Sequence, residues 1–183
     1  RKALLNQMEV SDDEVLDYCR YIKCKKKDAL YYFTDSHRLE KELILECIAD
    51  YSGSFSYNEL RSVLQHIYPD LYAYLVPYKF NAALLNRYFE DYKFCKLENR
   101  ITPEFYSLVE EQAVKREYNL LLPARSEKIE SIDMSGAFAY FIDAMGVEFL
   151  GYISEKSKQK KLLPKIRFVA LSFRRLPRAT KSS

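Results

Sequence analysis

Through the first two thirds of the chain apolar positions recur every three or four residues, whereas after residue 135 they run together in short blocks. The first spacing puts side chains on one face of an α-helix, and short unbroken apolar runs are the mark of buried strands. Helices are expected near 12–24, 36–51, 57–67, 81–97 and 103–122. Leu39, Leu43, Ile44, Cys47, Ile48 and Tyr51 make the stripe of 36–51, and Leu84, Leu85, Tyr88, Phe89, Tyr92 and Cys95 that of 81–97. Punctuation agrees with these bounds. Ser11 with Glu14 and Ser56 with Glu59 have capping-box spacing, in which serine and glutamate satisfy each other's orphan amides. Thr102, Pro103 and Glu104 supply a cap, a proline for the first turn and an acid at the positive end of the helix dipole. Gly53 suits a helix terminator. Pro69 and Pro77 limit the segment between them to about two turns, and Pro123 is a stop.

The apolar runs 137–142 and 166–172 are expected to be strands, and the amphipathic stretch near 145–158 between them a helix, together one β-α-β unit. The expected fold class is thus mainly α followed by α/β. A helical module over 1–125 would precede an α/β part over 126–183, with the polar stretch 124–135 joining them.

An apolar share of 48% in 183 residues is ample for a core. No window approaches the roughly 20 apolar residues of a membrane span, and the N-terminus is unlike a signal peptide, so a soluble, cytoplasmic protein with no membrane contact is expected. Cys19, Cys24, Cys47 and Cys95 form no C-x-x-C pair and read as buried free thiols. His37 and His66 are too far apart in sequence to mark a metal site. The net charge of +3 hides an asymmetry: from residue 156 onward there are ten Lys/Arg and no acid, which leaves the preceding residues at −7. That basic end either attracts phosphates, of DNA or of a smaller substrate, or is simply solvated. Lys23 and Lys25 to Lys27 form a second, shorter cluster that reads as solvated. Most of the 16 Tyr and 11 Phe fall at core spacing. Tyr31, Tyr32 and Phe33, and Tyr72, Tyr74 and Tyr78, fit no helix face and are expected on a partner surface.

The run 137–142 stops on Asp143, and Ala144, Met145 and Gly146 then turn the chain. A carboxylate at the C-terminal end of a strand stands where open α/β sheets hold ligands, although the same acid also suits a helix cap. After the second run comes Leu176-Pro177-Arg178-Ala179-Thr180. Strand, Asp-Ala-x-Gly, helix, strand and L-P-x-x-T together resemble the opening of the PglZ domain of bacterial phage-exclusion (BREX) systems, a domain similar to the alkaline phosphatase superfamily. The likeness covers about residues 130–183. Residues 68–72, 88–93 and 110–118 are also similar to the region ahead of the phosphatase core in one subgroup of those proteins. The resemblance implies that Asp143 binds a divalent metal, commonly zinc, and that Thr180 is the nucleophile. It implies a metal-dependent phosphohydrolase-like component of a phage-defence complex, with the other proteins of that complex as partners. Such sites need further Asp and His ligands, so the chain is expected to belong to a longer one and to be inactive alone. Two other readings stand beside it: an assembly module whose phosphatase-like part is degenerate, and a nucleic-acid-binding module whose surface is the basic end together with the tyrosines.

Overall fold

The computed structural model describes residues 10–121 and 145–161, with Gln7 and Ser135 as isolated positions. Among the described residues there are eight α-helices: α1 (Asp12–Lys23), α2 (Arg38–Asp50), α3 (Tyr57–Ile67), α4 (Pro69–Leu75), α5 (Ala83–Leu97), α6 (Pro103–Lys115), α7 (Glu117–Leu121) and α8 (Leu150–Gln159). Single 3-10 segments, Lys26–Tyr32 and Val147–Phe149, follow α1 and precede α8.

Both capping boxes form: the Ser11 and Ser56 hydroxyls accept from the amides of Glu14 and Glu59, whose carboxylates accept in return from the serine amides. Thr102 caps α6 by accepting from the Phe105 amide at 3.1 Å. Gly53, at φ +78°, turns the chain between α2 and α3 where an L side chain would be strained. The 3-10 segment Lys26–Tyr32 has no periodic signature in the sequence. The helix expected to run from 103 to 122 is broken at Arg116, whose φ of 52° lies in the left-handed region and ends α6.

One apolar cluster forms the core of the N-terminal part. Val15, Cys19 and Ile22 of α1, Leu30 and Phe33, Ile44 and Ile48 of α2, and Leu60 and Leu64 of α3 are all buried in it. Two carboxylates are buried beside it, and both are satisfied. Glu40 accepts from the Thr34 amide at 2.7 Å, and Glu98, past the end of α5, accepts from the Gly53 amide at 2.8 Å and the Ser52 hydroxyl at 3.1 Å. A buried carboxylate left unpaired would cost several kcal/mol, so these bonds fix the two loops that make them.

The α/β expectation is corrected here. The described residues contain no strand, and the fold they show is helical. The runs 137–142 and 166–172, and the expected boundary at 125/126, lie outside the described residues. The segment expected to cover a sheet does form a helix, α8, but its packing partner is α4. Gly151 lets the two backbones touch: a Cβ there would lie 1.9 Å from the Val76 carbonyl oxygen. Lys156 of α8 pairs with Asp70 of α4.

Candidate functional site

α5 and α6 pack through aromatic rings. Tyr88 and Tyr92, one turn apart on α5, both meet Phe105 of α6, with centroids at 5.5 and 6.2 Å. These tyrosines and Phe89 are half-buried rather than core, because the chain leaves a groove beside them. Leu85, Tyr88, Phe89 and Tyr92 form one wall, Val109, Gln112, Ala113 and Arg116 the other, and Gly146, Val147 and Glu148 close one side of a space of about 650 Å³. That volume is in the range of small-ligand pockets, and the lining is mainly apolar. Asn86 holds the approach to α5 in place: its amide group accepts from the Phe80 amide at 2.6 Å and donates to the Phe80 carbonyl at 2.9 Å.

Beneath the groove lies a polar knot. Lys93 projects from α5 into the interior with 2% of its surface exposed, donates to the Val76 carbonyl at 3.0 Å and stands 5.4 Å from the centre of the Tyr74 ring. Desolvation pushes its amine down to about 8, opposed by the nearby charges of Glu148 and Glu90. Burial and the Glu148 charge push the Tyr74 phenol up. The Tyr74 hydroxyl is buried and has no hydrogen-bond partner among the described residues. Tyr74 also packs on Phe149 at 5.3 Å, and Glu148, 13% exposed, lies 3.9 Å from the amine of Lys96. The residues just after Asp143 are therefore anchored on α4 and α5 by ring contact, charge and backbone approach together.

Asp143 and Thr180 both lie outside the described residues, as does the basic run beyond residue 161. Among the described residues no group of three or more His, Cys, Asp or Glu could hold a metal ion. His37 caps α2, its Nδ1 accepting from the Leu39 amide, and pairs with Asp12 at 3.1 Å. Cys19, Cys47 and Cys95 are buried free thiols, as their spacing suggests, but Cys24 is exposed. Burial pushes the Cys47 thiol up, which makes it a packing residue rather than a nucleophile. The aromatic clusters divide: Tyr31 and Tyr32 are exposed, Phe33 is core, and Tyr72, Tyr74 and Tyr78 are half-buried. Tyr74 faces the chain's own Phe149 in place of a partner. The apolar stripe of 81–97 does not single out Lys93, because a lone lysine carries no periodic signal of burial. Its neighbours in sequence, Tyr92 and Phe94, were the one signal that could have found it.

Among the described residues no helix is long and apolar enough to cross a membrane. Residues 1–51 match a family described as a domain of unknown function (DUF7863), which spans α1, the first 3-10 segment and α2. That match does not reach the residues that carry the phosphatase resemblance. No curated protein and no solved structure matches the chain.

Proposed function

We propose that these helices form a positioning module in a metal-dependent phosphohydrolase-like component of a phage-defence complex, and that they hold the Asp143 segment in place. One observation carries this reading. Gly146, Val147 and Glu148 seat on the module at a groove to whose walls Tyr88, Phe89 and Tyr92 of one block that carries the resemblance and Gln112, Ala113 and Arg116 of another contribute. Two stretches far apart in sequence, each similar to the same protein region, thus meet at the segment that bears the proposed ligand. In the longer protein that the resemblance implies, Asp143 would hold a divalent metal and Thr180 would attack phosphorus. The metal would lower the pKa of the hydroxyl and offset charge on the phosphoryl oxygens.

Metal content and phosphoester hydrolysis of that longer protein test the proposal. Asp143→Ala should lose bound metal and turnover while keeping its helical dichroism; Thr180→Ala should keep most of the metal and lose turnover. Unchanged metal and activity in Asp143→Ala would reject the assignment. A wild-type protein that binds no metal and turns nothing over would make the chain an assembly module, with the same groove serving only to join parts.

A further inference from the structure

The groove between α5 and α6 combines features that packing alone does not require. Its volume of about 650 Å³ and its mainly apolar lining are those of a small-ligand site. One wall carries the rings of Tyr88, Phe89 and Tyr92. Tyr88 and Tyr92 lie within 6° of parallel, and Tyr88 meets Phe89 edge-on at 5.2 Å. The opposite wall ends in a cation. Arg116 lines the groove, is exposed, and makes no ion pair among the described residues. The carboxylates near it are engaged elsewhere: Glu148 lies 3.9 Å from the Lys96 amine, and Glu117 accepts from the Gln112 side chain at 3.1 Å.

Arg116 also holds φ at 52°, a conformation that strains a residue with a Cβ and that glycine would adopt freely. A cation near a helix C-terminus favours the dipole, but Lys115 already supplies one in the last turn of α6. The dipole does not explain a guanidinium in the wall of an apolar groove. A neutral apolar ligand would leave that charge unused. A phosphate ester, with about two charges, would call for a second cation and would face Glu148 in the same lining. A carboxylate carries one charge and matches the planar guanidinium fork with two parallel hydrogen bonds. Ring walls favour an aromatic body over an alkyl chain, because edge-on and offset ring pairs add to what burial of area gives.

We propose that the groove binds a small aromatic carboxylate, with its rings against Tyr88, Phe89 and Tyr92 and its carboxylate on Arg116. Such a ligand touches α5, α6 and residues 146–148 together, so it also tightens the seat of the segment that follows Asp143. The proposal needs neither a metal nor a phosphoester, so it stands or falls apart from the phosphohydrolase reading.

Isothermal titration calorimetry of the 183-residue chain with naphthaleneacetate, and with the neutral naphthaleneacetamide as its comparator, tests it. The acid should bind with a Kd below about 1 mM, and the amide about tenfold more weakly. Arg116→Gly should bring the acid down to the affinity of the amide while helical dichroism is kept, because glycine takes the left-handed conformation without strain. Ala113→Leu, at an exposed position of α6 that lines the groove, puts a larger side chain into it and should weaken both ligands by about fivefold or more. Absence of saturable binding of the acid below about 5 mM would overturn the proposal. So would equal affinity for acid and amide in the wild type, or an acid preference that survives Arg116→Gly, since either result removes the guanidinium from the site. Full affinity for both ligands in Ala113→Leu would place the binding outside the groove. Tighter binding of decanoate than of naphthaleneacetate would make this a site for alkyl chains and overturn the aromatic assignment.

Discussion

The cluster around α1, α2 and α3 and the seam where residues 145–161 meet α4 and α5 hold their parts together by different means. In the first, side-chain volume does the work: Leu30, Ile44, Ile48, Leu60 and Leu64 show no exposed surface, and the charged neighbours Glu40 and Glu98 are bonded to backbone amides. In the second, α8 touches α4 through a glycine, and the filler beneath is a lysine, a tyrosine whose hydroxyl has no hydrogen-bond partner among the described residues, and half-buried rings. A dry apolar core resists change because every methylene removed leaves a cavity. A seam of backbone approach and one buried amine is weaker and open to adjustment by pH or a ligand. The chain thus places its rigid part at the end matched by a domain family and its adaptable part beside the proposed site.

Leu64→Ala should produce the largest effect, because Leu64 has no exposed surface and lies on the α3 face that meets the core. A loss of about 3 kcal/mol in urea unfolding is expected. A loss below about 1 kcal/mol would mean that the cluster is loosely packed and that the contrast with the seam is false.

Gly151→Ala should come next, and its sign is informative. Alanine is favoured over glycine inside a helix by about 1 kcal/mol, yet its Cβ would lie 1.9 Å from a backbone carbonyl oxygen that has no rotamer with which to move away. The clash should win, at a net cost of about 2 kcal/mol, and the damage should be local. Hydrogen exchange should speed up in the amides of α8 and leave those of α1 to α3 unchanged. Uniform acceleration would merge the two regions into one cooperative unit.

The first region was largely legible in the sequence and the second was not. Ser11, Ser56 and Thr102 are local signals, read by neighbours three or four residues away, and the helices they start begin where expected, although the one that Thr102 caps stops at Lys115, well short of Pro123. The seam depends on tertiary facts. Gly151 reads as a weak point in an amphipathic helix, and its purpose shows only once Val76 lies against it. Arg116 adopts a left-handed conformation that glycine or asparagine would have announced. The apolar runs before and after α8 suggested strands by composition, and composition cannot say which surface a helix between them will cover. The reading of Asp143 as a ligand rests on that same local pattern together with the resemblance.

Lys93 offers a smaller test that uses pH. Its amine titrates at about 8 in the fold against 10.5 when unperturbed, so below about 8 both states carry the proton and the fold bears the cost of burying it. Between about 8 and 10.5 the unfolded chain holds a proton that the folded chain has lost, and stability from this group rises with pH. Other groups titrate in that window, so the comparison is with Lys93→Met, which keeps the volume and removes the amine. Raising the pH from about 7 to about 10 should move the difference in favour of the wild type by about 1 to 2 kcal/mol. A difference that stays flat would show that water reaches the amine, and that the seam is open where Tyr74, Glu90 and Glu148 face it.

The smallest effect expected is that of Ser56→Ala, and it sharpens the comparison from the other side. The Ser56 hydroxyl accepts from the Glu59 amide at 3.3 Å, and the Glu59 carboxylate returns the bond to the Ser56 amide at 2.8 Å. Alanine removes the first of these and keeps the second, so the helix start loses one acceptor for its orphan amides. A cost of about 1 kcal/mol is typical for such a cap. Because α3 carries Leu60 and Leu64 into the cluster, that cost should appear in global unfolding and leave exchange in α8 as it was. Faster exchange in α8 at unchanged global stability would show the cap acting through α4, which follows α3 after a single residue, and would tie the seam to the core more closely than their packing suggests.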